Sequence, residues 1–383
     1  LRSFVRGTNK DTLTAVIDLC DVYRETLARC APERLVRRVW TEAMPHNVVA
    51  IGKCAGGLLD GVKWESAFVA VPEGYPGPQW SAAAPGGASS RNAFAHESTA
   101  EGGGAPLTIA IGGHPQMTPV SFDAGRQLLA FVDTHDDILF LISGGGSACV
   151  EVALPPHSEE ELIAANALLI ASGKPIGEIN AIRRELSAIK GGKLVRRVRG
   201  RAVTLVYSDV SAGRLADVAS GPTLPGSEAI LVADNHTLTE TAAAIVEERG
   251  GRAVRWPGQI ECDVAEAAGL LVAKAQQLRS GEVLVAGGEP TVVVRGEGRG
   301  GRCSELAVRV ALLGGTGLFA GSDGVDGNSG AAGVLVRRPP GRRAAEEALR
   351  RSDTSSIATQ VGEPIMIAPT GNNLRDLFLL ARG

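Results

Sequence analysis

Short apolar runs that stop abruptly at Gly, Ser or Asp punctuate the chain. Val48–Ile51 runs into Gly52-Lys53, Leu107–Ile111 into Gly112-Gly113-His114, and Ile138–Ile142 into Ser143-Gly144-Gly145-Gly146. Val203–Tyr207 ends at Ser208-Asp209, Val283–Ala286 at Gly287-Gly288-Glu289, and Leu318–Ala320 at Gly321-Ser322-Asp323-Gly324. Brief continuous apolar runs bounded by turn residues fit buried strands, typically of parallel sheets covered on both faces. Between them, helical periodicity predicts helices over 120–132, 159–172, 238–249 and 264–279, with a flanking amphipathic helix over 11–30. Alternating strand and helix predicts α/β layers. In such folds ligands gather beyond the carboxyl ends of the strands, where these Gly, Ser, Asp, Lys and Glu residues would sit. Residues 74–106, rich in Gly, Ala, Ser and Pro, predict a long surface excursion, mobile or lid-like.

Composition narrows the function classes. With 383 residues, 44% hydrophobic and 21% charged, the chain has material for more than one domain. A formal charge of -3 argues against a nucleic-acid partner, so an anionic substrate must be met by a local cluster of cations. The six cysteines form no CxxC pair and no zinc spacing with histidine, which predicts a reducing, cytoplasmic setting. No apolar stretch approaches the roughly 20 residues that span a bilayer, and residues 1–10 show no apolar signal core. No membrane partner is expected.

The candidate chemistry sits at the strand ends. Ser143-Gly144-Gly145-Gly146-Ser147 permits a tight turn whose N–H groups face an anion, although no Gly-Lys-Ser/Thr follows to make a Walker A loop. Lys53 can neutralise phosphate oxygens as a point charge. The segment 178–193 presents Arg183, Arg184, Lys190 and Lys193 as a basic face for a carboxylate or phosphate. Asp209 and Glu289 are suited to magnesium, which takes one or two carboxylates with phosphates and water. Arg299 and Arg302, in a glycine-rich turn before a helix, suit phosphate charge. Asp323 and Asp326 add carboxylates on a turn that does not close an EF-hand loop, and His114 is a candidate substrate contact. No GxSxG elbow supports a hydrolase.

Taken in order, these segments resemble the MOFRL-type glycerate 2-kinases, a family also known under the name hydroxypyruvate reductase. The motifs are VVAIGKCAG (48–56), GGHP (112–115), LISGGGSA (141–148), EINAIRRELSAIKGGKL (178–194), SDV (208–210) and ASGPT (219–223). GGEPTVVVRGEGRGGR (287–302), AGSDGVDG (320–327) and PTGNN (369–373) complete the set, so the likeness spans nearly the whole chain. It implies a Rossmann-like parallel-sheet N-terminal domain, residues 1–230, a smaller C-terminal α/β domain, residues 231–383, and an active site in the cleft between them. It further implies ATP, Mg²⁺ and phosphorylation of D-glycerate to 2-phosphoglycerate. The family's catalytic lysine falls on Lys53 and its catalytic arginine on Arg302. By physical role Ser143, Gly144, Gly145, Gly146, Ser147, Lys190 and Arg299 are assigned to the nucleotide phosphates. Arg184, His114 and Asp323 are assigned to substrate, and Asp209 and Glu289 to metal, with Asp209 also activating the hydroxyl.

The chain departs from the family pattern at several acidic and amide positions. Ser211–Asp217 replaces the usual Gly-Asp-Asp loop, Cys303-Ser304 the usual Asn-Gln, Ser329-Gly330 the usual Thr-Asp, and Gln116–Pro119 the usual Val-Pro-Asp-Glu. The acceptor is therefore expected to be glycerate or a related hydroxy acid or polyol. Two rivals remain: a non-catalytic nucleotide- or metabolite-binding homologue, and a reductase using NAD(P)H. The second would want GxGxxG after the first strand, where Lys53 stands between the glycines. Assembly as a homodimer stays open.

Overall fold

The computed structural model describes residues 17–75, 77–78, 96–98, 106–174 and 176–382. The first sheet has seven strands: β1 (Asn47–Ile51), β2 (Ser66–Pro72), β3 (His96–Ser98), β4 (Leu107–Gly112), β5 (Ile138–Ser143), β6 (Ala202–Tyr207) and β7 (Glu228–Ala233). Their order is β3-β4-β2-β1-β5-β6-β7, and all pairs are parallel except β3 with β4. Every residue of β2 and β5 is buried, because helices cover both faces. On one face Ala124, Leu128 and Val132 of the helix Pro119–Thr134 pack on Phe68 and Phe140. On the other, Leu58 and Leu59 of the helix Ala55–Asp60 join Tyr23 and Leu27 of the helix Leu19–Arg29. From β1 the chain moves outward to β2 and β4, then returns to the other side of β1 at β5. A crevice therefore opens at the carboxyl ends of β1 and β5, the switch point where α/β sheets hold ligands.

The second sheet contains β8 (Arg252–Arg255), β9 (Glu282–Gly288), β10 (Thr316–Gly321), β11 (Gly333–Val336), β12 (Gly362–Pro364) and β13 (Asp376–Ala381), ordered β12-β11-β10-β13-β9-β8. Only β8 and β9 run parallel; the other pairs are antiparallel. The run 318–320 is therefore antiparallel to both neighbours and 283–286 is parallel to β8 alone, which corrects the expectation of a parallel sheet at these runs. Their continuous hydrophobicity reports burial on both faces, and strand direction does not enter. Val283, Val285, Leu318, Ala320, Leu377 and Leu379 face the first domain's core. Leu284, Ala286, Phe319, Phe378 and Leu380 face the helices Val264–Ala275 and Arg302–Leu312.

One apolar cluster thus joins the two sheets, with the helices Leu19–Arg29 and Asn235–Glu248 as the shared layer. The first is capped by Asp18, whose carboxylate accepts from the N–H groups of Cys20 and Asp21, so it begins later than the expected residue 11; residues before 17 lie outside the described set. The expected domain boundary at 230/231 falls inside β7. Most of the expected excursion 74–106 also lies outside the described residues. Among the described residues, no helix is long and apolar enough to cross a membrane.

Phe378 is fully buried, with its ring 6.0 Å from that of Phe319. Phe378→Ala is expected to cost about 3–5 kcal/mol through lost burial and the cavity left behind. Urea unfolding should show a lower midpoint with an unchanged slope, and an unmoved midpoint would contradict the two-faced packing of β13.

Candidate active site

The loops after β1, β5 and β6 approach more closely than side chains would permit. Gly52 has φ +114°, and a Cβ there would lie 2.4 Å from the Ser143 carbonyl. The Lys53 N–H donates to the Gly144 carbonyl at 2.8 Å, and the Cys54 N–H donates to Ser143 Oγ at 3.0 Å. Ser143 itself is buried and donates to the Ile51 carbonyl, so it laces the strand ends together and presents no open hydroxyl. A Cβ on Gly144 would sit 1.6 Å from Asp209 Oδ2, and one on Gly145 would sit 2.8 Å from Lys53 Cγ. The glycines make room for Lys53 and Asp209. Gly146 opens a helix of four residues, Gly146–Cys149, on which Ser147 Oγ lies 2.7 Å from Ser220 Oγ.

Charged side chains of alternating sign meet where the two sheets face each other. Lys53 Nζ lies 3.0 Å from Asp323 Oδ2 and 5.0 Å over the Tyr75 ring. Burial acts to lower the pKa of this ammonium, but Asp323 and Tyr75 hold it above its ordinary value. Asp209 accepts from Asn373 Nδ2 at 2.9 Å; burial, then the charge of Glu289, pushes its carboxyl up. Arg302 donates through Nε and Nη2 to Asp376 at 2.6 and 3.0 Å, and its Nη1 lies 2.9 Å from Glu289. Arg375 Nε donates to the Asp209 carbonyl at 2.7 Å and lies 3.5 Å from Glu289. Asp209, Glu289, Arg302 and Arg375 line an open cleft of about 1110 Å³. His114 stands edge-on to Tyr75, ring centroids 6.3 Å apart; burial of its inner side and the Lys53 charge push its pKa down.

Three residues assigned to anions are engaged elsewhere. Lys190 and Glu151 are each 1% exposed and bound to one another, and Ser187 also donates to Glu151. Lys190 is thus enclosed under the first domain and does not reach the cleft; an ammonium taken out of water needs that carboxylate. Arg184 clamps the segment 215–220 through Asp217 Oδ1 at 2.6 Å and the carbonyls of Ala216 and Ser220. Arg299 is exposed and donates to the carbonyls of Asn328 and Ser329, stapling two loops. The start of the helix Arg302–Leu312 is likewise taken: the Cys303 and Ser304 N–H groups both donate to Asp326 at 2.9 Å. Among the described residues, no group of three or more His, Cys, Asp or Glu side chains is placed to hold a metal ion.

A domain of unknown function, DUF4147, matches residues 18–249, and the MOFRL family model matches residues 282–376. The chain is 30% identical to the D-glycerate 2-kinase of Thermotoga maritima over 325 residues, 70% of this chain and 78% of the relative. The chain belongs to the MOFRL-type glycerate 2-kinase family. A putative hydroxypyruvate reductase of Agrobacterium vitis is 29% identical over 72% of this chain and 78% of its own length. The crystal structure of glycerate kinase from Thermotoga maritima superposes with a TM-score of 0.76 at 25% identity, covering 95% of this chain and 98% of that one. The fold is therefore that of MOFRL-type kinases, a parallel-sheet domain joined to a smaller α/β domain.

Within this MOFRL-type fold, sequence reasoning missed Tyr75, Asn373, Arg375 and Asp376. The last two precede the apolar run 377–380, at the amino end of a strand, where α/β logic does not look for ligands. Because β13 is antiparallel to its neighbours, that end lies beside the carboxyl ends of β9 and β10: Asp376 pairs with Gly288 and with Gly321. A charged dipeptide directly before a buried apolar run was the available signal.

Asp376 is fully buried, and burial lifts its pKa from 3.8 to about 6 against the opposing pull of Arg302. Between about pH 4 and 6 the folded state keeps a proton that the unfolded chain releases. The contribution of this group to stability is therefore fullest at the acid end and declines as pH rises through 6. The unfolding free energy of the wild type minus that of Asp376→Asn should fall by roughly 2–3 kcal/mol across this window. A difference that rises with pH would contradict the burial-dominated environment.

Proposed function

We propose that this chain transfers the γ-phosphoryl group of ATP to a hydroxyl of D-glycerate or a closely similar hydroxy acid. The observation that carries the reading is that Lys53 from the first domain and Arg302 from the second reach one pair of carboxylates: the charges of Lys53 and Glu289 both act on Asp209, and Arg302 lies 2.9 Å from Glu289. Phosphoryl transfer asks a protein mainly to position the reactants and to stabilise charge on the transferring oxygens. Lys53 offers a compact point charge beside the β5 loop. Arg302 offers a planar fork whose orientation is set by Asp376 and Glu289. Asp209 has the raised proton affinity suited to receiving the acceptor hydroxyl's proton.

Magnesium fits Asp209 and Glu289. The Glu289 charge disfavours a second negative charge on Asp209, a repulsion that a divalent cation relieves, and magnesium takes one or two carboxylates with phosphates and water. Bound there, it would neutralise phosphate oxygens. The hydroxypyruvate reductase name among the relatives motivates a second assay, NAD(P)H oxidation with hydroxypyruvate. The kinase reading is favoured because Cys54 stands where a dinucleotide fingerprint after β1 needs its second glycine for close backbone approach to the pyrophosphate.

With Mg²⁺ and ATP, the wild type should convert D-glycerate to a phosphorylated product identified by mass. Lys53→Ala and Arg302→Ala should each lower kcat/KM by on the order of 10²- to 10³-fold. Intact turnover in Lys53→Ala, or ATP binding with no product from any hydroxy acid, would overturn the reading.

A further inference from the structure

Arg183 differs from every comparable arginine in the molecule. It lies on the helix Ile176–Leu186 and is partly shielded from water. Its hydrogen bonds go to neutral amides: Nε and Nη2 donate to Asn166 Oδ1 at 3.1 and 2.8 Å, and Nη1 to Asn180 Oδ1 at 3.5 Å. Among the described residues, every other arginine that is not exposed has an acidic partner: Arg29, Arg184, Arg249, Arg302, Arg309 and Arg375. Glu151, the carboxylate whose charge reaches Arg183, is bound to Lys190 and Ser187. Burial lowers the pKa of Arg183. A shielded guanidinium without an anion is costly, and it retains donors aimed at no carboxylate.

Its surroundings point toward the catalytic crevice. Asn180 Oδ1 also accepts from Ser220 Oγ at 2.9 Å, and Ser220 Oγ lies 2.7 Å from Ser147 Oγ at the end of the glycine loop. Ala219 and Ser220 are held at φ 51° and 62°, left-handed conformations that non-glycine residues adopt at a cost and that cluster at ligand sites. The charges of both Arg183 and Lys53 are felt at His114. Arg184, which the sequence alone suggested for the substrate anion, is instead spent on Asp217 and two carbonyls.

We propose that Arg183 receives the carboxylate of the phosphoryl acceptor, with the Ser147 and Ser220 hydroxyls beside it, which makes the acceptor a hydroxy acid and excludes a neutral polyol. The proposal rests on the kinase reading for the acceptor's reactive hydroxyl and adds the group that recognises its other end. A guanidinium and a carboxylate make a charge-assisted, often bidentate pair that glycerol cannot replace.

Steady-state kinetics with D-glycerate and glycerol, together with thermal midpoints measured in the same two compounds without ATP, test this. Arg183→Gln should raise the KM for D-glycerate on the order of 10- to 100-fold while leaving the KM for ATP unchanged. D-glycerate, but not glycerol, should raise the midpoint of the wild type and of Lys53→Ala, and should leave that of Arg183→Gln unmoved. Turnover of D-glycerate with an unchanged KM in Arg183→Gln overturns this inference and keeps the kinase reading. A glycerate-induced, Arg183-dependent midpoint shift without turnover supports this inference and removes the kinase reading. Should Arg183→Gln fail to fold, Arg183→Lys keeps the charge without the fork, and an unchanged KM in that variant is equally fatal.

Discussion

The apolar layer shared by the two sheets is the constraint on which the site depends. The helices Leu19–Arg29 and Asn235–Glu248 pack against both sheets in one continuous cluster, so each domain's strand ends are held against the other's. Tyr23 shows the coupling directly: it is fully buried on the first helix and its hydroxyl donates to the Gly321 carbonyl at the end of β10, at 2.7 Å. Two residues further along that turn is Asp323, the partner of Lys53. The position of the second domain's carboxylate relative to the first domain's lysine is therefore set by packing as well as by their attraction.

Held this way, the facing strand ends form a charge array that is locally balanced. Lys53 has Asp323, Arg302 has Asp376 and Glu289, and Arg375 has Glu261 and Glu289. Pairing makes such burial affordable, since an isolated desolvated charge costs far more than a hydrogen-bonded pair. The array leaves two imbalances, a carboxylate repulsion between Asp209 and Glu289 and a guanidinium at Arg183 without a carboxylate. One suits a cation and the other an anion. A kinase acting on a hydroxy acid must accommodate both.

The strand ends were legible in the sequence because each is an apolar run closed by small or charged residues, and Lys53, Asp209, Glu289 and Asp323 lie there. The direction of the second sheet was not legible. Residues 283–286 and 377–380 are apolar throughout because both faces are covered, and that pattern is blind to whether neighbours run parallel or antiparallel. From that blindness followed the omission of Arg375 and Asp376. Lys190 misled for another reason: a lysine beside glycines reads as a phosphate ligand, whereas its partner Glu151 is distant in sequence and meets it only through the fold. The choice between Arg183 and Arg184 likewise turns on Asp217, which lies beyond an entire strand.

In the proposed kinase reaction Lys53 and Arg302, from different domains, act on one transferring phosphoryl group. A double-mutant cycle on kcat/KM with D-glycerate measures their coupling. Lys53→Ala/Arg302→Ala should be little worse than the poorer single variant, as for groups that stabilise one transition state together. Losses that multiply, as for independent sites, would contradict it.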